Sequence, residues 1–296
     1  MILVRAMPRN REVRYGVEKV GDQAIANSSM TDITGWKMEE ATQTSGLPVA
    51  STGFNLRPLT PLSYVYAQVS IGRTTSPIEF NVGQTIQIGG VDAVVGTSQV
   101  YPTSEPDGKT FGLLSPEPIP SGMAGLEVKS RVVTNFPSGS VLKGGPNTLL
   151  RIVEKRGDAY KGATTFTGSG AVNVWQPVSG DWSIPLASGF QADPSGLFLV
   201  ATEARKSVVL AATVRSKASG LGVAHVLRIR VESKVVVTSG VLGSSTAERT
   251  TNIYGSTDIA VGDKVYLEAA KTTSNGGVQL QVLPGTGTDQ TRLHIY

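Results

Sequence analysis

One unit recurs from Tyr64 to Tyr296 and limits the fold more than anything else in this sequence. It is a run of four to ten residues in which apolar side chains alternate with others, closed by glycine, proline or aspartate. Ile259 to Ala269 shows it plainly: an apolar segment, a Gly262-Asp263 pair, then Val265, Tyr266 and Leu267, which predicts a strand, a tight turn and a second strand. A side-chain period of two fits a pleated strand with one buried face. The chain is therefore expected to be all-β. Strands are predicted over 64–71, 78–82, 85–88, 93–100, 110–114 and 125–134. Further on they are predicted over 208–214, 224–231, 234–239, 250–254, 264–269, 278–283 and 291–296. The proline-rich stretches 57–62 and 115–122 are expected at edges and in loops.

With 296 residues, two domains are the natural division. Many short strands with turns between them form sandwiches or barrels, so two β-sandwich, jelly-roll-like domains with a short N-terminal arm are expected. The arm covers 1–22, the first sandwich 23–155 and the second 163–296. The linker falls near Lys155 to Gly162, where Gly157-Asp158 and Gly162 punctuate the chain. The absence of cysteine excludes disulfides and thiolate metal sites, leaving stability to packing and oligomerisation. A net charge of +4 with no basic run argues against nucleic acid as partner. The local excess is in the arm, at Arg5, Arg9, Arg11 and Arg14, which fits contact with an acidic protein surface. No stretch approaches the ~20 apolar residues of a membrane span. The opening residues become charged too soon for a cleavable export signal, so synthesis in a cytoplasm is expected.

Two resemblances refine this picture. Asn27 to Trp36, a small polar run ending in Gly35-Trp36, and Gly125 to Thr134 resemble segments of the carbohydrate-binding-module-like jelly rolls of glycan-active enzymes and bacteriophage minor tail proteins. Phe190, Gly196, Phe198 and Val200, then Val261-Gly262-Asp263 with Val265 and Leu267, then a closing apolar strand, resemble the jelly-roll heads of the complement and tumour-necrosis-factor type. The first resemblance implies sugars stacked on exposed aromatic rings. Trp36, Tyr64, Tyr66 and Tyr101 are the candidates, with core packing the alternative for each. Tyr64 and Tyr66 share a strand face, so burial of one implies burial of both. Tyr101, beside Pro102 and a polar loop, is best placed to be exposed. The second resemblance implies a homotrimer, and burial of exposed edge strands between protomers points the same way.

Catalytic chemistry finds little to work with. The two histidines, His225 and His294, lie in apolar strand segments, and no nucleophile elbow, zinc motif, Walker loop or dinucleotide fingerprint occurs. Glu39-Glu40, Glu203 and Glu232 do not form a paired-carboxylate site. No cofactor is expected. Were calcium bound, Asp32 and Asp193 are where acids and loop carbonyls would hold it, without EF-hand spacing. These observations lead to a non-enzymatic structural protein of a bacteriophage virion, released by lysis: a minor tail or fibre component that attaches to host-surface glycan. The alternatives are a head decoration protein cementing the capsid and an accessory chain of a polysaccharide-degrading system.

Overall fold

In a computed structural model, the alternating segments are strands, and the residues described are 15–25, 28–38, 49–56, 61–73, 80–100, 109–134, 140–184, 188–221, 224–239, 242–243, 246–272, 277–284 and 290–296. The first sandwich holds β1 (Tyr15–Lys19), β2 (Gln23–Ala24), β3 (Thr31–Asp32), β4 (Trp36–Met38), β5 (Val49–Ala50), β6 (Gly53–Asn55), β7 (Ser63–Arg73), β8 (Phe80–Ile88), β9 (Val91–Val100), β10 (Lys109–Leu114), β11 (Glu127–Thr134), β12 (Ser140–Leu142) and β13 (Gly145–Glu154). The second holds β14 (Gly157–Tyr160), β15 (Phe166–Thr167), β16 (Gln176–Pro177), β17 (Phe190–Ala192), β18 (Leu199–Ala201), β19 (Arg205–Ala218), β20 (His225–Val231), β21 (Lys234–Thr238), β22 (Arg249–Ile259), β23 (Lys264–Lys271), β24 (Leu280–Val282) and β25 (Arg292–Ile295).

Both sandwiches have the same connectivity. In the first, β7 carries β10 on one edge and β12 and β13 end to end on the other, with β2 and β1 beyond them. In the second, β19 carries β22 on one edge and β24 and β25 end to end on the other, with β15 and β14 beyond. The companion sheets match as well. β9-β8-β11 continues into β3 and β6-β5, and β21-β20-β23 continues into β16 and β18-β17. Among the described residues, only β4, paired with β1, has no counterpart. The sequence attaches different resemblances to the two halves; the strand order makes them one jelly roll built twice.

The segments expected as strands 78–82 and 85–88 are one strand, β8, within the described residues, and β13 is a strand the sequence reading missed; three further differences bear on the layout. The arm does not reach residue 22, because Tyr15–Lys19 pairs on both sides, with β13 and β4. The arginines at 5, 9, 11 and 14 lie outside the described residues. The second sandwich starts at Gly157, not 163, since Gly157–Tyr160 pairs with β25. Lastly, the Gly262-Asp263 turn does not join partners of one sheet: β22 pairs with β19, whereas β23 pairs with β18, β20 and β16. The turn carries the chain across the sandwich. Gly262 takes φ +89°, where a Cβ is strained, and its N–H donates to Ala201 O at 2.8 Å, while Ala260 N–H donates to Asp263 Oδ2 at 2.8 Å.

Each sandwich has its own core. Val17, Phe54, Val65, Ala67, Val69, Ile86, Val128 and Leu150 pack in the first, and Leu210, Ala212, Leu227, Ile229, Val265, Leu267 and Ile295 in the second. A third cluster joins them, from Tyr64, Tyr66, Leu114, Leu149 and Val209, with Tyr254 and Tyr296 against it. All its members come from the sheets built on β7 and β19, so those two sheets face each other and the molecule has four layers. This explains why Ser63 to Gly72 and Val208 to Ala212 are buried at every position: strands covered on both faces lose the in–out alternation. At Gly112, a Cβ would lie 2.8 Å from Tyr254 O and 2.9 Å from the Tyr66 ring, so glycine allows β10 its close approach to β22.

Candidate functional site

The four-layer arrangement leaves two outer sheets facing solvent. On that of the second sandwich, β20 alternates strictly: His225, Leu227, Ile229 and Val231 are buried, and Val226, Arg228 and Arg230 point outward. β23 places Tyr266 opposite Arg230 and Glu268 opposite Arg228. Glu268 bonds both arginines: Arg228 Nε to Oε2 at 2.6 Å, and Arg230 Nε and Nη2 to Oε1 at 2.9 and 2.8 Å. Its side chain is only 4% exposed beneath them. Burial disfavours its charge, but the bonds from Arg230 and Arg228 outweigh burial and hold the carboxyl below the usual glutamate range. The Arg230 guanidinium is pushed above its ordinary value, chiefly by the same bond.

Aromatic rings complete the row. Arg228 stacks 4.0 Å over Trp175, Arg230 lies 4.0 Å over Tyr266, and Lys264 Nζ sits 5.1 Å over Phe198. Phe198 and Tyr266 are 5.1 Å apart at 49°. The result is a continuous surface of Trp175, Arg228, Glu268, Arg230, Tyr266, Phe198 and Lys264, near exposed apolar side chains at Val172, Val174, Leu197 and Val235. A ring locked by a guanidinium offers a flat apolar wall beside oriented donors, the combination that holds a sugar ring and its hydroxyls.

The equivalent sheet of the first sandwich provides an internal comparison. Its corresponding positions on β11 are Glu127, Lys129 and Arg131, with Lys129 3.3 Å from Glu127 and Arg131 2.7 Å from Asp32. The described aromatic side chains of that sandwich, Trp36, Phe54, Tyr64, Tyr66 and Phe111, are all buried.

Three of the four sugar platforms expected from the sequence, Trp36, Tyr64 and Tyr66, are therefore corrected. Trp36 is 8% exposed and donates Nε1–H to Ile33 O at 2.9 Å within the first core. Tyr64 and Tyr66 share a face, as expected, but that face is the joint between sandwiches. Tyr101 lies outside the described residues. Asp32 is held by Arg131, and Asp193 accepts Ser195 N–H at 2.8 Å. Among the described residues, no group of three or more His, Asp or Glu converges for a metal.

A second cluster runs across four strands of the inner sheet. Asp158 Oδ1 lies 2.7 Å from His294 Nδ1, His294 Nε2 lies 2.9 Å from Thr213 Oγ1, and Thr213 Oγ1 lies 2.9 Å from Asn252 Oδ1. Lys155 Nζ, at 2.8 Å, and the Tyr160 hydroxyl, at 3.1 Å, reach Asp158 Oδ2. Burial works against an ionised Asp158, yet the bonds from His294 and Lys155 hold its carboxyl well below the usual range. Burial lowers His294 despite Asp158, so at neutral pH the ring donates Nδ1–H to Asp158 and accepts the Thr213 proton at Nε2. Asn252 must then turn its amide N–H₂ toward Thr213. The row closes its own hydrogen bonds and ties β14 to β25, β19 and β22.

Both histidines give the fold an acid-sensitive stability. Burial, with Arg249 nearby, pushes His225 down to about 4, so the unfolded chain takes up a proton near pH 6.5 that the folded chain refuses. Stability present above that pH is lost as the pH falls. His225 alone is expected to remove about 2 kcal/mol between pH 7 and pH 5, and His294 adds in the same direction. Urea midpoints at the two pH values check this; a His225→Leu chain should show most of the slope gone.

Between the sandwiches a cleft of about 630 Å³ opens along β9, β10, β21 and β22, lined by Val94, Gly96, Leu113, Val237, Leu242 and Tyr254. It belongs to the joint and holds none of the charged groups described above.

No family model matches this chain, and no curated protein matches it. Among solved structures, PNGF-II aligns at 8% identity over 96% of this chain and 65% of its own, with a TM-score of 0.29; the chain thus spans less than two thirds of that protein. Infectious bursal disease virus of the Gx strain aligns at 12% identity over 95% and 73%, TM-score 0.25. The tandem CBM22 domains of Paenibacillus barcinonensis Xyn10C align at 11% identity over 95% and 93%, TM-score 0.22. At these scores the likenesses carry no argument about ligand or activity, and the all-β class with its paired sandwiches rests on the strand pairing of this chain itself.

Proposed function

We propose that this chain is a non-enzymatic virion structural protein of a bacteriophage, a minor tail or fibre component, that holds host-surface glycan on the outer sheet of its second sandwich. The row Trp175–Arg228–Glu268–Arg230–Tyr266–Phe198 carries the reading: rings and oriented donors share one solvent-facing surface, whereas the matching surface of the first sandwich has salt bridges and, among the described residues, no ring beside them. The resemblance of Asn27 to Trp36 and Gly125 to Thr134 to modules of phage minor tail proteins supports the virion setting. The first sandwich and the basic arm then serve attachment to neighbouring virion proteins. Among the described residues β9 and β21 end their sheets beside the cleft, and edge strands of this kind favour assembly with further copies, as a homotrimer.

Purified chain is expected to bind host cell-wall polysaccharide, and Trp175→Ala to weaken binding about tenfold or more, since aromatic anchors dominate such contacts. Trp175 is half-buried at the surface, so the variant should keep the circular dichroism of the parent. Equal binding by both chains would sink the assignment of the face. No binding by either would leave the capsid-cementing role as the better reading.

A further inference from the structure

We infer that this face selects a saccharide bearing a ring-attached carboxylate, a uronic-acid polymer, with the terminal amino groups of Arg228 as its anchor; the inference rests on the glycan-contact reading above. The two arginines are not equivalent. Arg230 uses Nε and Nη2 on Glu268 and Nη1 on Glu232 O, so its fork is occupied. Arg228 uses only Nε, on Glu268 Oε2, and lays its plane on Trp175. Its Nη1 and Nη2 have no acceptor among the described residues. The side chain is nonetheless fixed in two directions, by a 2.6 Å bond and by a ring 4.0 Å away. A guanidinium with its end free and its orientation set presents two parallel N–H donors, the spacing of carboxylate oxygens.

The charge balance points the same way. Arg228, Arg230 and Lys264 face Glu268 and Glu232, leaving one positive charge in excess, and Lys264 Nζ makes no ion pair with a described residue. One anionic group on the ligand would neutralise the surface. A phosphodiester of a polyol would also supply the charge, but it has no pyranose ring to lie beside Trp175 and the exposed Val174.

Calorimetric titration of the full chain tests the inference with four probes: a galacturonic acid oligomer, its methyl ester, a neutral hexose oligomer and a glycerol phosphate oligomer. The uronate is expected to bind at least about tenfold tighter than its methyl ester, the scale of one charge-assisted hydrogen-bond pair. Arg228→Lys keeps the charge and loses the fork, so it should erase most of that preference while circular dichroism stays unchanged. Equal affinity for the acid, ester and neutral oligomers overturns the selectivity and leaves the glycan-contact reading standing. Tighter binding of glycerol phosphate than of uronate overturns the choice of ligand. Failure of all four probes while host cell-wall polysaccharide still binds overturns the uronate assignment alone, and failure of that polysaccharide as well removes both readings.

Discussion

Tyr66→Ala is expected to destabilise the chain by about 3–5 kcal/mol and to split its unfolding into two steps. Tyr66 is fully buried, and its ring sits between β10 and the second sandwich, with Gly112 giving it room. Its hydroxyl donates to Gln68 Oε1 at 2.6 Å, and the same oxygen accepts Ser256 N–H from the other sandwich at 3.2 Å. Burial pushes the phenol well above its usual range, so it remains a donor at any working pH. Truncation thus leaves a cavity and loosens Gln68, one of the side chains that bond across the joint. Arg151 still reaches Ser207 O at 3.1 Å and Ser256 Oγ at 2.9 Å, and Tyr64 still meets Tyr296 edge to face at 5.2 Å, so the joint is weakened rather than removed, while each half keeps its own core. Denaturation followed by tryptophan fluorescence reads each sandwich: Trp36 reports on the first, Trp175 and Trp182 on the second. Tyr66→Phe keeps the ring and should cost only about 1 kcal/mol. An alanine variant that melts in one step at the parent midpoint would show that the sandwiches are joined by something other than this cluster.

The second large effect lies on the opposite face. Glu268→Ala leaves two guanidiniums side by side without their carboxylate. Breaking a buried pair this way costs about 3–5 kcal/mol, although the partly exposed arginines can turn to water and bring the value to the lower end. Glu268→Gln retains acceptors at one atom and should cost less. The pH dependence follows from the sign of the shift: a carboxyl held below its unfolded value stabilises the fold above that value and loses the contribution as pH falls through the folded one. The loss therefore lies in acid, below the window in which His225 acts, and the two variants separate the effects. Identical acid midpoints for parent and Glu268→Gln would contradict the role assigned to this carboxylate.

The sequence shows which residues share a strand face but not what covers that face. Alternation places Tyr64 with Tyr66, yet the opposing surface, Val209, Tyr254 and Tyr296, arrives from more than 140 residues away. The unbroken apolar run Val208-Val209-Leu210-Ala211-Ala212 is the one local sign that an inner strand has two covered sides. Trp175 follows Val172 and Val174 and reads as one more apolar position; only the approach of Arg228 from β20 turns it into part of a surface. Arg228 and Arg230, at period two in an otherwise apolar strand, could have indicated that surface. The Gly262-Asp263 turn uses the same backbone chemistry whether it closes a hairpin or changes sheets, so pairing partners alone decide. The twofold jelly roll is hidden for the same reason: strand pairing repeats where side-chain identity does not.

Between Glu154 and Gly157 the chain passes from one sandwich to the other through Lys155 and Arg156 alone. Lys155 N–H bonds Leu62 O in the first at 3.0 Å, and Arg156 N–H bonds Ile295 O in the second at 2.8 Å. There is no tether to straighten. A pull applied at Trp175 or Arg228 reaches the first sandwich as torque on a stiff block, resisted by sliding of one inner sheet over the other. In the role proposed above, such an element would act as a lever arm, setting the angle at which the face of Trp175 and Arg228 stands from the first sandwich.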